Sequence, residues 1–168
     1  MKILIVSDSH GLQRELEELK KRHRDAELFI HCGDSELEKD DPAIQGFHVV
    51  RGNCDFHNGF PEQLLLSAKD KKIFVTHGHL YQVKTNPLNV YYKARESGAD
   101  IACFGHSHRL GAEMADGVLL INPGSVRLPR GRSEKTYVVL EIGEDHYLVR
   151  VYEYLGKELE DLRQTFPF

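Results

Sequence analysis

The sequence predicts an α/β domain whose later strands form a second sheet. Short apolar strands alternate with helical segments over the first two-thirds of the chain, which is typical of βαβ units. The last third alternates apolar and polar residues in paired segments, which is typical of antiparallel hairpins. A length of 168 residues fits one domain, so we predict a single domain over residues 1–168.

The first βαβ-like unit begins at the start of the sequence. Residues 2–6 are rich in Ile, Leu and Val and end in a polar turn, which predicts a strand. Leu12, Leu16 and Leu19 then recur at helical spacing, which predicts an amphipathic helix over about residues 12–23. Further strands are predicted at 28–31, 47–51, 62–68, 72–76 and 101–104, and a second helix follows Asn86-Pro87 and ends near Ser97-Gly98.

The last third of the chain contains two predicted hairpins. Strands at 113–115 and 118–121 flank Asp116-Gly117, and strands at 137–142 and 147–154 flank a turn at residues 143–145. The remaining segment, residues 157–168, is charged and ends in Phe166-Pro167-Phe168. The sequence leaves open whether this segment packs on its own chain or on a neighbouring subunit.

Charge and composition exclude several classes of function. The net charge of −4 provides no cationic field for long nucleic acids, so we expect no general nucleic-acid binding. The only early apolar run, residues 3–6, is too short for a signal-peptide core or a membrane span. Cys32, Cys54 and Cys103 form no CxxC pair, which predicts free thiols. We therefore expect a cytoplasmic protein that does not associate with membranes.

Side chains with oxygen or nitrogen ligand atoms follow five of the predicted strands. Ligand sites in open α/β sheets form outside the carboxyl ends of the strands, so these side chains are expected to converge. Carboxylate, amide and imidazole ligands without thiolate favour Mn, Fe, Co, Ni or Zn. Two dications, two carboxylates and one hydroxide leave a charge of about +1, which attracts a phosphate oxygen. The residues are Asp8, His10, Asp34, Asn53, His77, His79, His106 and His108.

The order of these motifs resembles the calcineurin-like metallophosphoesterase superfamily. The resemblance is strongest to its small bacterial and archaeal phosphodiesterases, a branch that also contains the retromer scaffold subunit. It implies a four-layer α/β/β/α sandwich of two mixed β-sheets flanked by helices. The motifs that carry the resemblance are Asp8-Ser9-His10, Gly33-Asp34, Gly52-Asn53, His77-Gly78-His79, Gly105-His106-Ser107-His108 and Asn122-Pro123-Gly124-Ser125.

The resemblance also implies a dinuclear site that hydrolyses a phosphoester, most readily a phosphodiester. A hydroxide that bridges two divalent ions would attack phosphorus in line, with manganese the expected metal and Ni, Co, Fe or Zn the alternatives. Asp34 would bridge the ions, and Asp34 and Asn53 would be catalytic residues. His79 is a further catalytic candidate, as a substrate contact or a replacement acid, with support of the metal ligands as the alternative. Asp8, His10 and His108 would hold one ion, and Asn53, His77 and His106 would hold the other.

Cys54 departs from the wider superfamily, in which a histidine after the Gly-Asn pair donates a proton to the leaving oxygen. A thiol with an ordinary pKa is a poor proton donor, so we expect slow turnover except with good leaving groups. His57, His79 and Asp55 are the candidates to replace this histidine.

Several interpretations stay open at this point. The alternative function is a metal-binding scaffold for protein interaction, and a homodimer is an open alternative to a monomer. Arg127, Arg130 and Arg132 follow the last motif on a loop expected near the site, where an arginine would bind phosphate. Among the other histidines, His31 is expected to be buried and hydrogen-bonded, while His23, His48 and His146 are expected at the surface.

Overall fold

The computed structural model describes residues 1–56 and 59–168 and contains two β-sheets. Its helices are α1 (Arg14–Arg22) and α2 (Leu88–Glu96), and short 3₁₀ turns lie at His79–Tyr81 and Glu160–Leu162. The strands are β1 (Lys2–Val6), β2 (Leu28–His31), β3 (His48–Val49), β4 (Gln63–Ala68), β5 (Lys71–Thr76), β6 (Ile101–Cys103), β7 (Leu110–Ala115), β8 (Val118–Pro123), β9 (Thr136–Ile142), β10 (His146–Glu153) and β11 (Gln164–Pro167).

Both sheets are mixed. The first sheet has the order β11-β10-β9-β1-β2-β3, with β1, β2 and β3 parallel and β9, β10 and β11 joined by antiparallel pairing. The second sheet has the order β4-β5-β6-β8-β7, in which β5, β6 and β8 are parallel and β4 and β7 are antiparallel edge strands. Parallel strands of both sheets lead into the ligand-bearing loops.

Alternating side chains on β1 explain how the layers stack. Ile3 and Ile5 point to one face and pack in the core between the two sheets. Leu4 and Val6 point to the opposite face and pack against Leu16 of α1. The outer face of the second sheet is covered in the same way by α2. The prediction of an α/β/β/α sandwich of two mixed sheets is therefore confirmed.

Two predicted elements are at least two residues shorter in the structure than in the prediction. Helix α1 begins at Arg14 rather than at residue 12, because Leu12 donates its N–H to the Ser9 carbonyl and closes a turn in which Gly11 has a φ of 83°. The strand predicted at 47–51 is reduced to His48–Val49 because Arg51 turns away to pair with the Pro61 carbonyl.

The carboxyl-terminal segment packs on its own chain. Residues Gln164–Pro167 form β11, a strand that the sequence did not predict. It pairs antiparallel with β10. The ring of Phe168 lies 4.3 Å from the ring of Tyr147, and the Lys71 ammonium lies 4.0 Å from the centre of the Phe168 ring. None of the helices in the described residues combines the length and apolar character needed to cross a membrane.

Candidate metal centre

Three loops at the carboxyl ends of β1, β2 and β6 share one backbone geometry. Each loop has a serine between two residues in the left-handed conformation, which is uncommon for any residue except glycine and clusters at functional sites. The three serine hydroxyls are buried or nearly so. The left-handed pairs are Asp8 (φ 53°) and His10 (45°), Asp34 (53°) and Glu36 (54°), and His106 (64°) and His108 (57°).

The central serines hold the loops in place from inside the fold. Ser9 contacts the ring of His31, with 2.9 Å between Oγ and Nε2. Ser35 donates to the Asp55 carboxylate at 3.2 Å, and Ser107 accepts from the Asn122 amide at 3.0 Å. Since each serine points inward, the side chains on either side of it are free to face the common centre.

Gly105 and Gly52 allow the loops to approach one another closely. A Cβ on Gly105 would overlap the Ser7 hydroxyl, and a Cβ on Gly52 would overlap the Asp34 side chain. The glycines of these motifs are therefore required by close approach of the loops that carry Asp8 and Asp34.

Asp8, His10 and His108 form the first group of converging ligand atoms. His108 donates from Nδ1 to the Leu128 carbonyl at 2.7 Å, so the neutral ring has a lone pair on Nε2. That lone pair lies 3.1 Å from Asp8 Oδ1 and 3.5 Å from His10 Nε2. His10 Nδ1 lies 2.6 Å from the Glu36 carboxylate, which likewise leaves a lone pair on its Nε2.

Asp34, His77 and His106 form the second group. His77 donates from Nδ1 to the Cys32 carbonyl at 2.7 Å, which leaves a lone pair on its Nε2. This atom lies 3.3 Å from Asp34 Oδ2 and 3.2 Å from the Asn53 side-chain oxygen. It is also 4.0 Å from Asp8 Oδ1, so the two groups adjoin.

Both groups fit divalent cations because imidazole nitrogens and carboxylate oxygens, the usual ligand atoms of such ions, converge in each of them. Asp8 Oδ1 is buried and has no hydrogen-bond partner among the described residues. An unpaired buried carboxylate oxygen is costly, and a cation or a proton must offset that cost. Imidazole and carboxylate ligands suit first-row divalent ions.

The pKa directions show that the two carboxylates favour a positive charge beside them, either a proton on His77 Nε2 or a cation in its place. Burial favours the neutral form of His77, but Asp34 and Asp8 outweigh it and raise the pKa of this imidazole. Burial likewise opposes ionisation of Asp34, yet the hydrogen bond and charge of His77 lower the pKa of Asp34. Burial and the neighbouring His77 lower the pKa of His106 to about 4, so its ring is neutral and able to ligate.

Asp55, one of the three candidates to replace the missing histidine, is buried and acts as a hydrogen-bonding anchor. Its buried carboxylate accepts the backbone N–H groups of Asp34 at 2.8 Å, Glu36 at 2.7 Å and Gly52 at 2.7 Å, in addition to the Ser35 hydroxyl. Through these four hydrogen bonds it fixes the Asp34 loop against the Asn53 loop.

Cys54 and His79 lie beside the two groups. Burial and Asp34 raise the pKa of Cys54 to about 12, so the thiol stays protonated and is a poor proton donor at neutral pH. Burial and His77 lower the pKa of His79, whose ring lies 5.4 Å from the ring of His77. His57, the third candidate to replace the missing histidine, lies outside the described residues.

The three arginines that follow the last motif have different partners. Arg127 donates from its guanidinium to the His10 carbonyl, and Arg130 donates its backbone N–H to the His108 carbonyl at 3.0 Å. Arg132 is instead paired with Glu134 at 3.2 Å. Arg127 therefore supports the loop backbone, and the exposed Arg130 is the arginine whose side chain remains available to a phosphate.

Two expectations about histidines outside the site have different outcomes. His31 is fully buried and hydrogen-bonded, as expected. The expectation that His23 lies at the surface is wrong, because it is half-buried, contacts the Tyr137 hydroxyl at 2.8 Å and packs edge-on against Tyr152. A single histidine in a run of basic residues gave no sign of this packing.

Residues 1–145 match the family model described as the calcineurin-like phosphoesterase superfamily domain. The chain belongs to this superfamily. The prediction made from the order of the motifs is therefore confirmed, and the family supports phosphoesterase activity for the chain.

Individual relatives agree with this membership. The probable metallophosphoesterase YsnB of Bacillus subtilis (strain 168) is 54% identical over 164 residues, which are 97% of each chain. Phosphodiesterase YfcE of Escherichia coli (strain K12) is 34% identical over 103 residues, or 55% of this chain and 51% of YfcE. A crystal structure of a predicted phosphoesterase from Streptococcus pneumoniae TIGR4 superposes with a TM-score of 0.95 at 36% identity, covering 99% of this chain and 97% of that one.

Proposed function

We propose that this chain is a dinuclear metal-dependent phosphoesterase whose substrates are phosphodiesters. The observation that carries the proposal is the pair of adjoining groups in which carboxylate, amide and imidazole ligand atoms converge, with Asp8 Oδ1 buried and without a hydrogen-bond partner among the described residues. The similarity to phosphodiesterase YfcE supports the choice of diesters over monoesters.

We assign one ion to Asp8, His10 and His108 and the other to Asn53, His77 and His106, with Asp34 between them. Manganese is the metal we propose first, because nitrogen and oxygen ligation suits it and its carboxylate preference is strong. When bound, the two ions would activate water as the nucleophile and neutralise charge on the phosphate.

The residues of the chain have separate roles in this proposal. Asp34 keeps its charge at neutral pH because the pKa of its carboxyl is lowered by His77 against the effect of burial, so it stays available as a ligand. His79 is neutral at that pH because burial and His77 lower its pKa, so it contacts the substrate by hydrogen bonding and does not serve as a strong acid. With Cys54 protonated as well, the leaving group departs without an efficient proton donor.

The test is hydrolysis of bis(p-nitrophenyl) phosphate and p-nitrophenyl phosphate by metal-stripped protein, with and without added Mn²⁺. We expect faster hydrolysis of the diester, complete dependence on metal, and a loss of at least about 100-fold in kcat for Asp34→Ala, as removal of a central charged group implies. Asp40→Ala is the matched control because Asp40 is an exposed acid six residues away on the same segment.

A metal count accompanies the assay. Two ions per chain in the wild type and fewer in Asp34→Ala support the dinuclear assignment. Equal turnover by wild type and Asp34→Ala, or hydrolysis that persists after complete metal removal, would contradict the proposed function.

The proposed location is the cytoplasm. All three cysteines are free, and Cys32 and Cys103 are buried in the core between the sheets. Free thiols are the usual state in a reducing compartment.

A further inference from the structure

A cavity of about 390 Å³ adjoins the metal centre between the start of α2 and the loop that carries His106 and His108. This volume falls in the range of roughly 300–1,000 Å³ that small-molecule sites occupy. Val83, Phe104 and Leu120 form an apolar floor and are only 6%, 7% and 5% exposed. We call this space the Lys84 cavity, after the lysine at its rim.

The Lys84 cavity lies beside the loop that carries two of the proposed metal ligands. Ser107 forms part of its wall, and the residues on both sides of that serine belong to the two ligand groups. Lys84 lines the same cavity as this serine. A molecule held at the metal centre would therefore lie next to this cavity.

Two cationic side chains line the cavity without a partner of opposite charge. Lys84 and Arg109 are exposed, and within residues 1–56 and 59–168 neither side chain forms an ion pair or a hydrogen bond. Cations that lack an internal partner are available to an anionic ligand, and arginine binds phosphate in a bidentate manner.

The acidic residue of the cavity lies at its far end. Glu113 lines the cavity too, but it follows Arg109 by four residues along the extended strand β7, a separation of roughly 13 Å. The cavity is thus cationic next to the metal centre and acidic away from it. An added anionic group would be bound in the half of the cavity that borders Ser107.

We propose that the Lys84 cavity binds the second organic substituent of the phosphodiester, and that this substituent carries a phosphate group of its own. A phosphorylated nucleoside has this chemistry: a flat ring for the apolar floor and a phosphate for Lys84 and Arg109. The proposal rests on the proposed function, because the metal centre must hold the scissile phosphate while the cavity holds the rest.

The first test compares two substrates with the same leaving group, the p-nitrophenyl ester of thymidine 5′-phosphate with and without a 3′-phosphate. We expect the 3′-phosphate to raise kcat/KM in the wild type by about 10-fold to 100-fold, the range of charge-assisted hydrogen bonds. The double variant K84Q/R109Q is expected to reduce this ratio to about 2 or less. The matched control K21Q/R24Q removes two exposed cations at the end of α1 and should keep the wild-type ratio.

The second test is calorimetric titration of thymidine 3′,5′-bisphosphate into metal-free protein, which needs no activity. We expect binding that weakens at least about 10-fold in K84Q/R109Q and is unchanged in K21Q/R24Q. Equal affinity in all three proteins, or no binding to the wild type, overturns the subsite.

The two tests separate this proposal from the proposed function. If bis(p-nitrophenyl) phosphate is hydrolysed with metal but the 3′-phosphate gives no advantage, the subsite is wrong and the hydrolase stands. If no ester is hydrolysed, the proposed function fails and the calorimetric result alone decides whether the Lys84 cavity binds phosphorylated nucleosides.

Discussion

Glu36 is the residue that most clearly extends the metal centre beyond its expected ligands. Its backbone is left-handed with a φ of 54°, and its carboxylate lies 2.6 Å from His10 Nδ1. A carboxylate on one ring nitrogen fixes the tautomer and turns the other nitrogen toward the metal. The sequence held a signal for this role, because Asp34-Ser35-Glu36 has the same spacing as Asp8-Ser9-His10.

Removing this carboxylate should weaken metal binding. We expect Glu36→Ala to reduce the affinity for Mn²⁺ by roughly 10-fold to 100-fold, and Glu36→Gln to retain most of it because the amide oxygen still accepts from His10. Calorimetric titration of metal-stripped protein measures both, with Asp40→Ala as the control. Wild-type affinity in Glu36→Ala would show that His10 is oriented by other contacts.

His31 makes the stability of the protein depend on pH. It accepts the Gly33 N–H at Nδ1, so Nε2 carries the proton that reaches Ser9. Burial lowers the pKa of His31 to about 4, whereas the ordinary value in an unfolded chain is about 6.5. Between these values the unfolded chain binds a proton that the folded chain excludes, so folding stability falls as pH falls.

The expected size of this effect is about 2 kcal/mol between pH 7 and pH 5, from a shift in pKa to about 4. We expect urea denaturation of metal-free His31→Gln to show a pH dependence shallower than wild type by that amount, although the variant is less stable at pH 7. His48→Gln is the control, since it makes the same substitution at an exposed position. Parallel pH profiles for wild type and His31→Gln would refute this origin of the dependence.

At the scale of secondary structure, buried strands were predictable and edge elements were not. The prediction for β2 matches its bounds, Leu28–His31, because a strand buried between two other strands needs a continuous apolar run. The edge strand β11 is mostly exposed and has little apolar alternation, so its pairing with β10 left no pattern in the sequence. Edge strands are stabilised largely by backbone hydrogen bonds, to which side chains contribute little.

The same division applies to the loops of the metal centre. The ligand types at the strand ends predicted Asp8, His77 and their partners, because few other roles require a carboxylate and several imidazoles in that order. The role of Asp55 was not predictable, since three of its four donors are backbone N–H groups, two of them in the Asp34 loop. Backbone donors have no signature in the sequence, and only the folded chain shows where they point.

For the molecule as a whole, bound metal should raise the thermal stability. A ligand at 100 times its Kd stabilises the folded state by about 2.7 kcal/mol, which corresponds to roughly 5–10 °C in Tm for a chain of this size. We expect that rise on adding Mn²⁺ to metal-stripped protein, its reversal by EDTA, and its absence in Asp8→Asn. If the Tm does not change on adding Mn²⁺, Zn²⁺, Ni²⁺, Co²⁺ or Fe²⁺, the result would argue against a metal site.

Each of the two ligand groups draws on loops from both sheets. Asp8 and Asp34 follow strands of the first sheet, whereas His77, His106 and His108 follow strands of the second. The interface between the sheets is otherwise made of apolar side chains, which resist separation but oppose sliding only weakly. Ions held across this seam would act as cross-links that lock the register of one sheet against the other, so loading the site would couple the unfolding of the two layers.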